Sequence, residues 1–347
     1  MTHTPLITRG AEASHQTRSP RRLATPAVTV LLVGTVAAAC LVSVAVGARA
    51  VPLVAILDSS HPLHNVSRAR IDRTLLGLAV GAALALAGAV LQGLTRNPLA
   101  DPGFLGINAG ASFAMVLGLS VFGVSELRDF LWIAFVGAAV AAVLVHVIAA
   151  LGRDGATPGK LAIAGAAVTA AASGWTTGVL LVDSKTMETF RYWQVGTIGG
   201  RDLDVLLTGA PFLVVGALMA ITGSGLLNTL ALGDDLARGL GRRTAVDRVV
   251  LGVAVVLLAG TATALAGPIA FVGLVVPHAV RGLVGSDYSR VLPHCALGGA
   301  VLVLIADTLG RVVMPPAEVQ VGVMAAVLGA PVFLVLVRRG RAGGGAL

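Results

Sequence analysis

From Thr74 to Leu94 the chain carries no charged side chain, and nothing else in it constrains the fold so strongly. About 20 apolar residues, rising about 1.5 Å each, cross the hydrocarbon of a bilayer, so this run predicts a membrane-spanning helix. Gly77, Gly81 and Gly88 leave smooth faces on which neighbouring helices can close. Arg70 and Arg73 precede the run, and Arg96-Asn97-Pro98-Leu99-Ala100-Asp101-Pro102 ends it. Asn97-Pro98 predicts a turn. Asp101 is placed to cap a helix that opens at Pro102.

The same pattern recurs along the chain. Of its 347 residues 56% are hydrophobic and 12% charged, where a soluble domain carries roughly 25% charged residues. Apolar segments fall at 27–46, 74–94, 103–123, 129–151, 160–182, 204–223, 246–266, 268–284, 292–310 and 321–337. The expectation is an all-α polytopic membrane protein with about ten transmembrane helices. Residues 1–25 read as a disordered basic tail, 26–340 as the transmembrane domain and 341–347 as a second tail. Ala48-Arg49-Ala50 resembles a signal-peptide cleavage site. The apolar run before it, however, exceeds the about 7–15 residues of a signal core.

Lysine and arginine placement sets the orientation. With ten spans and an internal N-terminus, most of the 25 basic residues fall on the cytoplasmic side, among them Arg96, Arg153, Lys160 and Arg238. Both termini are therefore expected to be cytoplasmic, in a multi-pass protein of the cell (inner or plasma) membrane. The net charge of +8 does not point to nucleic acid, because the basic residues are spread between spans rather than gathered in one patch. Cys40 and Cys295 lie inside apolar runs, which suggests neither a disulfide framework nor a metal site. No cofactor or catalytic set is expected.

Few segments carry chemistry. Gly233-Asp234-Asp235-Leu236-Ala237-Arg238-Gly239-Leu240-Gly241-Arg242-Arg243 has acids first and bases last, the charge order that suits a helix dipole. Asp234 stands four residues before Arg238, the spacing of a helical ion pair. This short helix is either a solvated connector or a surface that presses on a partner. The nearest approach to a phosphate loop, Gly155 to Lys160, lacks Gly at 154 and Ser or Thr at 161, so any ATPase is another polypeptide. Ion coupling would need an ionisable group deep in a span. The candidates are His146, His278 and Asp307, and Asp307 lies one turn before Arg311. Tyr192 and Trp193 fit an interfacial aromatic belt.

Taken together, the motifs identify a family. Residues 70–111 hold R-x-x-R-T-L, G-A-A-L-A-L-A-G-x-x-L-Q and R-N-P-L-A-D-P. They are followed by Y-W-x-x-G (192–196), L-A-L-G-D-D (230–235), G-P-I-A-F-V-G-L-V-V-P-H (267–278) and G-A-P-V-F (329–333). The order and content resemble the FecCD-type permeases, membrane subunits of importers that take up ferric siderophores, haem or cobalamin at the cost of ATP hydrolysed elsewhere. The resemblance implies ten helices and two permease subunits, identical or paralogous, around one pathway. It implies a coupling helix at 233–241, with Gly233, Asp234, Ala237, Leu240 and Gly241 meeting the ATPase. Arg70, Arg73 and Arg311 would dock an extracytoplasmic binding protein. Thr157, Pro158 and Gly159 would belong to the cytoplasmic gate.

Two departures concern prolines. The family's R-L-P-R is Arg70-Ile71-Asp72-Arg73 here, and its E-[LI]-P-[VI]-G is Glu318-Val319-Gln320-Val321-Gly322. Both lie near the outer face, where the fit to a binding protein is set. A ferric siderophore is the leading cargo expectation and cobalamin or haem the alternative. An ion-coupled secondary transporter is the reading from another mechanism class. A membrane enzyme is disfavoured by the lack of clustered His, Asp and Glu.

Overall fold

The computed structural model describes residues 25–47, 51–52, 54–58, 60–124, 127–151 and 156–342, and among these described residues it holds ten apolar helices. They are α1 (Thr25–Ala45), α2 (His64–Thr95), α3 (Ile107–Ser120), α4 (Leu127–Ala150) and α5 (Pro158–Val182). The second half comprises α6 (Leu203–Thr222), α7 (Thr244–Ala266), α8 (Val272–Val284), α9 (Tyr288–Val313) and α10 (Val321–Ala342). Seven of the ten are long and apolar enough to span a bilayer, and α3, α8 and α10 are the shorter apolar helices. The expected basic tail lies outside the described residues, except that Thr25 opens α1.

Helix α2 is the hub. It packs along α9 and against α7 and α8, and 78% of its most apolar window is buried. Glycine makes this possible. A methyl group at Gly81 would strike the Gly299 carbonyl, and one at Gly88 would strike Gly273, so these backbones touch directly. The helix is also longer than its uncharged run, starting at His64 and carrying Arg70 and Arg73 on its outer turns.

A second layer, α3, α4 and α5, packs on itself and against α7. The turn before α3 forms as expected in part. Asn97 Oδ1 accepts from the Leu99 amide at 2.9 Å and Asp101 Oδ1 from the Gly103 amide at 2.9 Å. Asp101 however caps a single 3₁₀ turn, Pro102–Leu105. Gly106, at φ 70°, then redirects the chain into α3. In α7, residues Val256–Gly260 widen into a π-helical turn, an irregularity that lets a packed helix change register.

Short helices connect the spans. Ser184–Gln194 covers the outer side after α5. Asp183 caps it, and the Thr186 hydroxyl and amide hold that carboxyl below its usual range. On the cytoplasmic side, Ser224–Ala231 and Asp234–Gly239 join α6 to α7. Asn228 anchors the first of these to α9, donating to Asp287 Oδ1 at 2.8 Å and accepting from the Tyr288 amide at 3.0 Å. These bonds, together with those from Ser289, hold the Asp287 carboxyl below its usual range.

Candidate functional site

At the outer ends of α2 and α9 four charged side chains form one neutral network. Arg73 grips both oxygens of Asp307, with Nη2 at 2.7 Å and Nε at 2.9 and 3.0 Å. Its Nη1 donates to Glu318 Oε2 at 2.7 Å. Arg311 Nε lies 3.1 Å from Asp307 without hydrogen-bond alignment. Its Nη1 donates to the Ser43 and Val46 carbonyls at 2.8 and 2.9 Å, and its Nη2 to the hydroxyls of Ser43 and Thr308. Arg70 donates to the Val44 and Ala45 carbonyls. The last turn of α1 is thus held by two arginines from other helices.

This geometry corrects one expectation. Arg311 is 2% exposed and spends its donors on the end of α1, so in this conformation it does not reach the surface to meet a docking partner. The α-helical spacing of Asp307 and Arg311 was legible. The contribution of Arg73, 234 residues away in sequence, was not. Glu318, 39% exposed at its side chain, is the network's open edge, and Arg73 beside it is only 14% exposed.

At the cytoplasmic end the short helix Asp234–Gly239 begins after Gly233, which has φ 111°, and the turn that follows it contains Gly241 at φ 80°. Glycine's conformational freedom serves both turns. Asp234 does not pair with Arg238. Its carboxylate faces inward to Arg96, at the end of α2, and to Arg248 Nη2 at 2.8 Å, on α7. Arg238 pairs instead with Asp235 across one turn. Two arginines anchored on packed helices outcompete one on a free surface turn, where holding a long side chain offsets most of the gain. Ala237 is fully buried. The face left open is Leu232, Leu236 and Leu240, each about 60% exposed or more.

The expected gate residues open α5. Thr157 Oγ1 accepts from the Lys160 amide at 3.4 Å, Pro158 takes the first helical position, and Gly159 is exposed with free space where a side chain would stand. Behind them lies an apolar cavity of about 390 Å³ between α2, α4, α7 and the start of α5. Leu94, Ala142, Pro158, Arg248 and Gly252 are among its walls. Among the described residues no group of three His, Cys, Asp or Glu could hold a metal ion.

A sequence model of the FecCD transport family matches residues 31–339. The chain belongs to that family. It is similar to the ferric enterobactin transport system permease protein FepD of Escherichia coli, 43% identical over 331 residues, which cover 93% of this chain and 97% of FepD. The probable siderophore transport system permease protein YfiZ of Bacillus subtilis is 44% identical over 78% of this chain and 81% of its own. Among solved structures, an inward-facing conformation of a metal-chelate type ABC transporter superposes with a TM-score of 0.80 at 26% identity. That match covers 91% of this chain and 99% of the other.

As a FecCD protein the chain is a multi-pass transport permease of the inner membrane, and ATP hydrolysis belongs to a separate subunit of such importers. The FecCD motifs find physical reasons in the fold. Gln92 donates to the Gly273 carbonyl at 3.1 Å and accepts from Arg281 Nη1 at 2.6 Å, so the L-Q motif and Arg281, three residues past the P-H pair, clasp α2 to α8. In Y-W-x-x-G, a methyl at Gly196 would meet the Pro268 carbonyl, and the Gly196 carbonyl accepts from the Gly322 amide. Trp193 is 4% exposed and packs on Phe190, so it is part of the core. Of the two aromatics expected at the interface, only Tyr192 is exposed, and it lies against Arg191.

Proposed function

We propose that this chain is the permease of an ATP-driven importer of ferric siderophores. The observation that carries this reading is the 43–44% identity to two permeases, one described for ferric enterobactin and one for siderophores, with nearly the whole chain aligned to the first. In this reading the ATPase docks on the leucine face of 232, 236 and 240. A shallow apolar ridge rimmed by Asp235 and Arg238 suits a groove on a partner. The extracytoplasmic binding protein meets the outer rim where Glu318 and Arg73 lie, with Arg311 positioning that rim from beneath. Arg70 supports the end of α1 beside it.

A second permease subunit, identical or paralogous, packs on α5. Helix α1 offers lipid bulky side chains such as Val30, Leu31 and Leu41. By contrast, α5 exposes Ala162, Ala166, Ala170, Ser173 and Thr177 along one face, a surface that favours close helix contact or a polar pathway over acyl chains. Thr157, Pro158 and Gly159 stand at its cytoplasmic mouth as the gate.

The cargo is tested by uptake into vesicles that hold the permease with its ATPase and binding protein. Ferric enterobactin, ferric citrate, haemin and cobalamin are offered in turn. Uptake of a ferric siderophore, competed only by other ferric chelates, is expected. Uptake of haemin or cobalamin alone overturns the cargo assignment.

A further inference from the structure

We propose that the Arg96–Asp234–Arg248 cluster is the positioning device that carries movement of the ATPase-facing helix into α7 and, across the apolar cavity, to the start of α5. The inference rests on the reading of Asp234–Gly239 as the ATPase contact and adds how that contact reaches the gate.

Three observations converge. First, Asp234 is the opening residue of the short helix, and its carboxylate bonds two arginines on separate spans, Arg96 at the end of α2 and Arg248 at the start of α7. A push on Leu236 or Leu240 therefore bears on both. Charge-assisted bonds to one carboxylate keep orientation as well as distance. Second, the two spans differ in how firmly they are held. Helix α2 is the buried hub, while the cytoplasmic half of α7 leaves Val246, Val249, Val250 and Val253 exposed, and a π turn at Val256–Gly260 separates that half from the fully buried Thr261–Ala266. The yielding partner is the cytoplasmic half of α7. Third, one face of α7, from Arg248 to Leu257, borders the cavity of about 390 Å³, whose opposite wall includes Ala156, Pro158 and Leu161 at the start of α5. Close-packed interiors have few voids this large. A cavity at this place gives α7 and α5 room for a second packing arrangement.

Arg248 belongs to both parts, bonded to Asp234 and lining the cavity. Gly252, one turn further along α7, also lines it, and a side chain there would meet nothing within 4 Å. That position allows the cavity to be filled without a clash.

The test uses the permease assembled with its ATPase subunits in inside-out vesicles and needs no identified cargo. Gly159→Cys places a thiol at the mouth of α5, where the space is open, and its labelling by an impermeant maleimide is timed with and without ATP plus vanadate. The parent transporter is expected to change its labelling rate by at least about fivefold, the lower end of typical coupling between sites. Asp234→Ala should abolish that response while the ATPase still co-purifies, and Asp234→Glu should restore most of it. Gly252→Leu, with the cluster intact, should also suppress it. A response that survives Asp234→Ala or Gly252→Leu overturns the proposal, as does a parent that shows none. Loss of the ATPase on Asp234→Ala overturns it too, by making Asp234 a docking contact. The underlying reading fails separately, if Leu236→Glu leaves ATPase association unchanged.

Discussion

The two arginine clusters of this permease share their chemistry and differ in what they hold. On the outer side Asp307 is 1% exposed and sits between Arg73 and Arg311, the second of which also secures the end of α1. On the cytoplasmic side Asp234 is 27% exposed and sits between Arg96 and Arg248, one at the end of α2 and one near the start of α7. Burial removes water as a competing partner, so the outer cluster cannot open without leaving charges unpaired in a low-dielectric interior. The inner cluster keeps water at hand and can shift at small cost. The first locks helices together, and the second links a surface helix to one that can move.

The comparison breaks most visibly at Asp307. Asp307→Ala leaves Arg73 and Arg311 without their common carboxylate, at a cost of about 3–5 kcal/mol. Folded permease recovered after mild detergent extraction should fall sharply. Asp101→Ala comes next, since it removes a cap worth about 0.5–2 kcal/mol from the turn that follows Arg96. A moderate drop in extracted yield is expected, with uptake per folded molecule largely kept.

Asp234→Ala should cost only about 0–1 kcal/mol of stability and leave the yield close to that of the parent. Uptake per ATP hydrolysed should nevertheless fall at least about fivefold. A yield loss as large as that of Asp307→Ala would erase the distinction between the clusters. Glu318→Gln is the mildest change, again about 0–1 kcal/mol. Its effect should show in the salt dependence of binding-protein docking measured by surface capture.

The contrast also explains what could be read in the chain beforehand. Span number and order were legible because length and hydropathy decide them one segment at a time. The Asp307–Arg311 pairing was legible because it is one helical turn. Partners chosen across the fold were not. Asp234 had a sequence neighbour in Arg238, and only the packing of α2 and α7 brings Arg96 and Arg248 closer. For the same reason Ala237 and Arg311 read as contact residues but prove to be buried. A helical surface shows its face in sequence only when its polar side meets water, and a six-residue helix is too short to reveal that period. Glu318 and Gln92 stood inside recognisable motifs, but nothing local named their partners, which lie more than a hundred residues away.

The central claim is that this chain moves its cargo only when a separate ATPase drives it. Vesicles containing the permease, its ATPase and its binding protein should accumulate a ferric siderophore when ATP is present, and a protonophore should leave that uptake unchanged. Uptake by the permease alone, without the ATPase and abolished by the protonophore, would contradict the account.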